Sequence, residues 1–368
     1  MNQSPFKKIL LMIILVAMAV TLLLQFINSR LKPRTEAQPF KPAKPEAQYT
    51  YTPHQPKVVK DVAEENKADE SPQPKIPRDK AEAWLTKHNR SAASLLAVFR
   101  ALGDTNYLNE AATNFPNNPQ VQLAVLSRNA YPEERRKWLE SFKTSAPENS
   151  LANYLSAAEY FKTGKTDAAM QEILSASGKE QFQNYAMETL LNGEELYSDS
   201  ARSSFETAGY VMGDMAAENL PQLEDFKLIS RSVSEALKQR LTTGDTEGAG
   251  KLVQLGLNFT DKINSGDSGK FLINQMVGTG SERIILAQLD QNTAYEFLNG
   301  QTPAQIADNN KKQKDELRKL LQDFTPAQMQ MMQSEAETAN YMQRLKIYGE
   351  VAAMKWLIQQ HPPTVPPQ

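Results

Sequence analysis

Three kinds of side chain in this sequence could do chemistry: a carboxylate set beside a serine, lysines that follow glycine-rich turns, and three histidines. Glu140 lies in Trp138-Leu139-Glu140-Ser141-Phe142. A general acid for glycosidic cleavage needs such a carboxyl buried, with its pKa raised. The same residue falls on the polar face of an amphipathic helix whose Trp138, Leu139 and Phe142 turn inward, which makes it a solvated surface acid. Gly244-Asp-Thr-Glu-Gly248-Ala-Gly250-Lys251 has the look of a phosphate loop. That loop needs glycine five residues before its Gly-Lys and Ser or Thr after it, and Asp245 and Leu252 stand there instead. Gly269-Lys270 fails in the same way, with Phe271 next, and Gly278-Thr-Gly280 lacks a third glycine and a preceding strand. All three read as turns between helices, so no nucleotide or other cofactor is expected. His54, His88 and His361 fall in a linker, an early helix and a tail, which builds no metal site and no Ser-His-Asp or H-E-x-x-H constellation. With no cysteine in 368 residues, disulfides, thiolate metal sites and cysteine nucleophiles are excluded.

The elements that would have to carry any site begin with an apolar run. Ile9 to Ile27 contains no charge and only Thr21 and Gln25 as polar residues. Its Ile9, Leu10, Leu11, Ile14, Leu15, Val16, Val20, Leu22, Leu23, Leu24, Phe26 and Ile27 form a candidate transmembrane anchor. As a helix it would reach roughly 28 Å, about the hydrocarbon thickness of a bilayer. Ala17-Met18-Ala19 has the chemistry of a cleavage site but sits inside the run, so the expectation is an uncleaved signal-anchor. Lys7 and Lys8 precede the run, and Arg30, Lys32, Arg34 and Lys41 follow it, so the positive-inside count is nearly level. The very short basic N-terminus ahead of an apolar core tips the expectation toward a single-pass inner-membrane protein of the cell envelope. Its C-terminal part would then be extracytoplasmic.

From Lys32 to Asp79 the composition changes. Nine of the 21 prolines fall here among interspersed Lys, Glu and Asp, with few large aliphatics. Such a segment cannot bury enough apolar surface to offset its ordering entropy, so residues 32–79 are expected to be a disordered spacer with polyproline II character. Pro39-Phe-Lys-Pro42 also fits a ligand for an aromatic groove, although P-x-x-P arises easily in any proline-rich tract. The overall charge, 41 basic against 43 acidic residues, gives no reason to expect nucleic acid.

Residues 80–360 read as all-α, in segments rich in Ala, Leu, Gln, Glu and Lys that break at Gly, Pro, Asn and Asp. Helix starts are expected at Ser145-Ala-Pro147-Glu148, at Thr302-Pro-Ala-Gln305 and at Thr325-Pro-Ala-Gln328. The last pair implies a helix ending near Phe324 and one long C-terminal helix over 325–360, before a flexible tail at 361–368. Its Met329, Met331, Met332, Met342 and Met354 are expected to fill the core, with an adaptable partner groove as the other reading. Helices are further expected over Ser91–Leu102, Tyr107–Asn114, Gln120–Asn129, Glu133–Ser145, Leu151–Thr163 and Thr166–Ser177. Short antiparallel pairs at intervals of about thirty residues are the pattern of an α-solenoid.

Within that pattern Ser150–Ser177 resembles a tetratricopeptide repeat. Ala157 takes a small position of its first helix, Tyr160 the aromatic, Gly164 the turn, and Ala169 and Ala176 the small positions of the second helix. Asn153, Ser156 and Ile173 depart from it, standing where the repeat has tryptophan, leucine and a large aromatic. A fainter echo lies at Val233–Asp261, where Gly244-Asp245 and Ala249 repeat the Gly164 to Ala169 spacing with Arg240 in the aromatic place. The resemblance covers residues 80–180 and one repeat within 181–324. It implies a surface that binds peptides or partner proteins and no intrinsic catalysis. The Glu140-Ser141 pair separately resembles that of lytic transglycosylases, but the downstream Gly-Leu-Met-Gln motif of that family is absent. The expected function is therefore a membrane-anchored scaffold or adaptor that holds a protein partner near the membrane, with no small-molecule substrate. A membrane-tethered cell-wall hydrolase using Glu140 is the alternative.

Overall fold

The computed structural model describes residues 76–200 and 203–362, with the backbone alone at 216–221. The chain divides into two units, Met1–Pro74 and Lys75–Gln368, and every described residue lies in the second. The anchor expected at Ile9–Ile27 and nearly all of the spacer lie outside the described residues. Among the described residues no helix is long and apolar enough to cross a membrane. The end of the expected spacer needs correction: Ile76 is buried and a helix begins at Arg78, so folded structure starts before Lys80.

The described part is all-helical, its one β-like contact being an isolated bridge between Asn149 and Gln181. The helices are α1 (Arg78–Lys87), α2 (Ala92–Leu102), α3 (Thr105–Asn114), α4 (Pro119–Arg128), α5 (Arg135–Ser145), α6 (Leu151–Lys162) and α7 (Thr166–Ser177). There follow α8 (Ala186–Asp199), α9 (Ser204–Thr242), α10 (Thr246–Ile263), α11 (Leu272–Leu286), α12 (Pro303–Met331), α13 (Glu335–Tyr348) and α14 (Glu350–Gln360).

Local chemistry explains the boundaries. Ser91, Asp104 and Asn118 each accept a backbone N–H of the first turn they precede, and Pro119 occupies a first position where its missing N–H costs nothing. Gly103 ends α2 at φ +67°, a conformation open to a residue without Cβ. Thr302 and Gln305 form the expected reciprocal capping box of α12. Ser145 and Thr325 do not start helices. Ser145 is the last residue of α5, and α6 begins after Ser150. Helix α12 runs through Pro326, where the Thr325 hydroxyl donates to the Leu321 carbonyl at 3.1 Å. Beyond that proline Ala327 and Met331 are buried, so packing holds the helix together where local chemistry would end it. The expected long helix over 325–360 is three pieces, parted by Ser334, which caps α13, and by Gly349 at φ +88°.

Helix α9 organises the rest. Its 39 residues reach roughly 58 Å, and it packs against α2, α4, α6, α8, α10, α11 and α13. Phe226, Ile229 and Val233 on one of its faces enter a core with Leu123, Phe142, Tyr154 and Phe259. Tyr154 meets Phe259 edge-on at 4.7 Å between ring centroids, and Phe226 meets the same ring at 5.7 Å. Two smaller cores follow, one around Leu237, Val253 and Leu286, the other around Leu272, Leu317 and Met354. Met331 and Met342 are likewise buried, while Met329 is exposed.

The α6–α7 and α9–α10 hairpins turn in the same way. Gly164 and Gly244 have φ +71° and +76°. Thr163 Oγ1 donates to the carbonyls of Glu159 and Tyr160, and Thr243 Oγ1 to those of Gln239 and Arg240. The N–H groups of Lys165 and Asp245 each reach back five residues at 2.9 Å, to Tyr160 and Arg240. The shared Thr-Gly-x-Thr spacing, 80 residues apart, therefore builds one turn twice.

Candidate functional site

A solvent-facing groove of about 710 Å³ lies where the α4–α5 connection, α6 and α9 meet. Each wall has a local cause. Asn129 ends α4 in the left-handed region at φ +48°, and Pro132 opens a short 3-10 turn that delivers Arg135 to the start of α5. On α6, Leu155, Glu159 and Lys162 share a face by their i, i+4, i+7 spacing. On α9, Gln222, Asp225 and Leu228 line the groove with Lys227 and Arg231, while Phe226 and Ile229 turn to the core.

The groove floor is an ion-pair junction. Arg135 donates from Nη1 to the Leu126 carbonyl at 2.7 Å and from Nε to Glu159 Oε2 at 2.9 Å. Its Nη2 lies 3.9 Å from Asp225, whose other oxygen is 2.7 Å from Lys162 Nζ. Lys227 pairs with Glu224 at 3.8 Å. Asp225 and Arg135 are both largely buried, so their desolvation is offset by this mutual pairing. Two lining groups stand outside the arrangement: Gln222 is 3% exposed with no partner for its Nε2, and the buried Ser127 hydroxyl has none either. Arg231, at the exposed rim, forms no ion pair among the described residues.

A second polar cluster joins α5, α6 and α7. Glu172 accepts from Lys143 at 2.7 Å, from Ser156 Oγ at 2.9 Å and from Asn153 Nδ2 at 2.7 Å. Arg136 donates to Ser156 Oγ at 2.6 Å and lies over the Tyr160 ring, 4.0 Å from its centroid. Asn153 and Ser156 were the departures from the repeat pattern on α6. With Glu172 they make the contact between α6 and α7 a hydrogen-bonded one.

Glu140 stands at the edge of this cluster, half exposed and paired with Lys143 at 2.9 Å and Arg136 at 3.3 Å. Burial alone would raise its carboxyl, but the hydrogen bonds and charges of Lys143 and Arg136 outweigh that and hold it below its ordinary value. A general acid needs the opposite environment. Among the residues expected to pack a repeat, Ala157, Ala169 and Ala176 are fully buried, Gly164 makes the turn, and Tyr160 is half-buried under Arg136. The membrane-anchor residues Ile9 to Ile27 lie outside the described residues. None of the sequence candidates lines the groove. Its residues are spread from Leu126 to Arg231, and only the three-and-four spacing of 155–162 and 222–231 carried a signal, one shared with every core helix. No family model matches the chain, and no curated protein or solved structure matches it.

Proposed function

We infer that this chain is a membrane-anchored scaffold whose helical unit, of tetratricopeptide-like hairpins, holds a protein partner in the α4–α6–α9 groove. The anchor at Ile9–Ile27 and the proline-rich spacer set that unit off the membrane on the extracytoplasmic side. The observation that carries the reading is the groove itself: an open, mixed apolar and charged channel whose floor is internally neutralised. Such a channel can receive a polypeptide without leaving buried charges bare when it is empty. The twin turns at Gly164 and Gly244 support the repeat reading, and the buried Ala157, Ala169 and Ala176 agree with it.

The test is site-specific photocrosslinking of the full chain in its native membrane, with the crosslinker in place of Lys227 and, as control, of Lys312 on α12. One reproducible protein adduct from position 227, absent from 312, is expected. No adduct, or the same adducts from both positions, overturns the groove as a partner site. Glu140→Gln separates the scaffold from a cell-wall hydrolase: the adduct and the fold are expected to persist, whereas loss of function in a folded variant would favour the hydrolase.

A further inference from the structure

We propose that Met329 is a reversible oxidation site, the thioether among the described residues that a hydroperoxide oxidises first and without cost to the fold; this stands apart from the groove and its partner.

The chain has no cysteine, so its 13 methionines carry all of its sulfur. Burial sorts those near the C-terminal end, which the sequence leaves alike. On α12 the turns after Pro326 place Ala327 and Met331 inward, four residues apart, at 0% and 3% exposure. Met329 falls between them on the opposite side of the helix and is 42% exposed. Met342 on α13 and Met354 on α14 are 3% and 1% exposed. Met170, Met187, Met212, Met276 and Met332 are half-buried.

Oxidation of a thioether needs the oxidant at the sulfur itself. The sulfur lone pair attacks one peroxide oxygen, the O–O bond breaks as the S–O bond forms, and the other oxygen leaves as water. Sulfur loses two electrons and the peroxide gains them. The sulfoxide is polar. At Met331, Met342 or Met354 it would set an unpaired acceptor in the core, and the oxidant would reach those sulfurs only through local opening. At Met329 water solvates the new oxygen, and the side chain has little core packing to lose. The same exposure leaves the sulfoxide open to a methionine sulfoxide reductase, which restores the thioether with electrons from thiols. A buried sulfoxide would be out of its reach.

The test treats the full chain, in detergent micelles, with hydrogen peroxide. Trypsin then cuts after Lys319 and Arg344 and releases residues 320–344, one peptide that carries Met329, Met331, Met332 and Met342. Its fragment masses compare the oxygen taken up at each. Met329 is expected to be oxidised about tenfold faster than Met331 or Met342. The thermal melt of the singly oxidised chain should match the parent, and in urea the rates should converge. A methionine sulfoxide reductase with a dithiol should clear the oxygen from Met329 in the folded chain. Met329→Leu should remove the fast oxidation from that peptide and leave the melt unchanged. Comparable rates at Met329 and Met331 in the folded chain, or a first oxygen at Met332 or another described methionine, overturns the proposal. So does a melt lowered by oxidation at Met329, or a sulfoxide there that the reductase leaves in place.

Discussion

The carboxylate of Glu350 accepts the backbone N–H of Leu272 at 2.7 Å, so the first residue of α14 caps the start of α11 from 78 residues away. Phe271, which precedes α11, offers no side-chain acceptor, and the N–H would otherwise be an orphan. Burial raises the Glu350 carboxyl above its ordinary value, and the Leu272 bond acts the other way.

Replacing Glu350 tests how the two effects divide. Glu350→Ala leaves the Leu272 N–H unpaired and should lower stability by about 1–3 kcal/mol in urea melts. Glu350→Gln keeps an acceptor and removes the buried charge, so at neutral pH it should equal or exceed the parent. A glutamine variant weaker than the alanine one would contradict this account.

One residue earlier, Gly349 holds φ +88° and ψ 169°, backbone that an L side chain rarely adopts. A Cβ there would sit 2.9 Å from the Lys270 Cβ and 3.0 Å from its carbonyl oxygen. Gly349→Ala should cost about 2–3 kcal/mol, with strain and contact both contributing. Circular dichroism melts would show it as a lower Tm at unchanged helix content.

Glu172 holds Asn153, Ser156 and Lys143 in one hydrogen-bonded knot between α5, α6 and α7. Glu172→Ala leaves the Asn153 amide without its acceptor and Lys143 with Glu140 alone, and should destabilise by about 1–3 kcal/mol. Changing Asn153, Ser156 and Glu172 together to leucine should recover much of that loss, which urea melts of the single and triple variants would measure.

Burial raises the Glu282 carboxyl; the Asn310 amide, 2.6 Å away, opposes the shift, and the charge of Asp261 adds to it. Asp261 is itself raised by burial. Both groups bind protons more tightly folded than unfolded. Their contribution is present below the unfolded carboxyl values, near pH 4, and is lost as pH climbs through the raised folded ones. Glu282→Gln should flatten that decline, with a neutral-pH Tm about 1–3 °C above the parent and no difference near pH 4. Thermal melts across that range decide it.

Much of the fold was legible because its signals are local. Ser91, Gly103, Asp104, Asn118-Pro119 and Gly164 act on residues within one turn of themselves, and they delimit α2 to α7 nearly to the residue. Misreadings arose where distance decides. Pro326 looks like a helix start until Ala327 and Met331 are seen buried against other helices. Ser203 and Glu206 form the capping box that opens α9, and Ser334 takes the N–H of Glu337 at the start of α13. Both have the S-x-x-E spacing of a capping box, visible in the sequence. The groove was not legible at all: nothing local tells Arg135 that it will meet Asp225.

In a stack of repeats each pair rests only on its neighbours, so the array can shed a terminal unit and keep the remainder. Seven helices resting on α9 change that arithmetic. Early elements such as α2 and late ones such as α13 share a single support, beside the neighbours each packs against in its own part of the chain. Loss of α9 would thus take a packing partner from early and late helices at once.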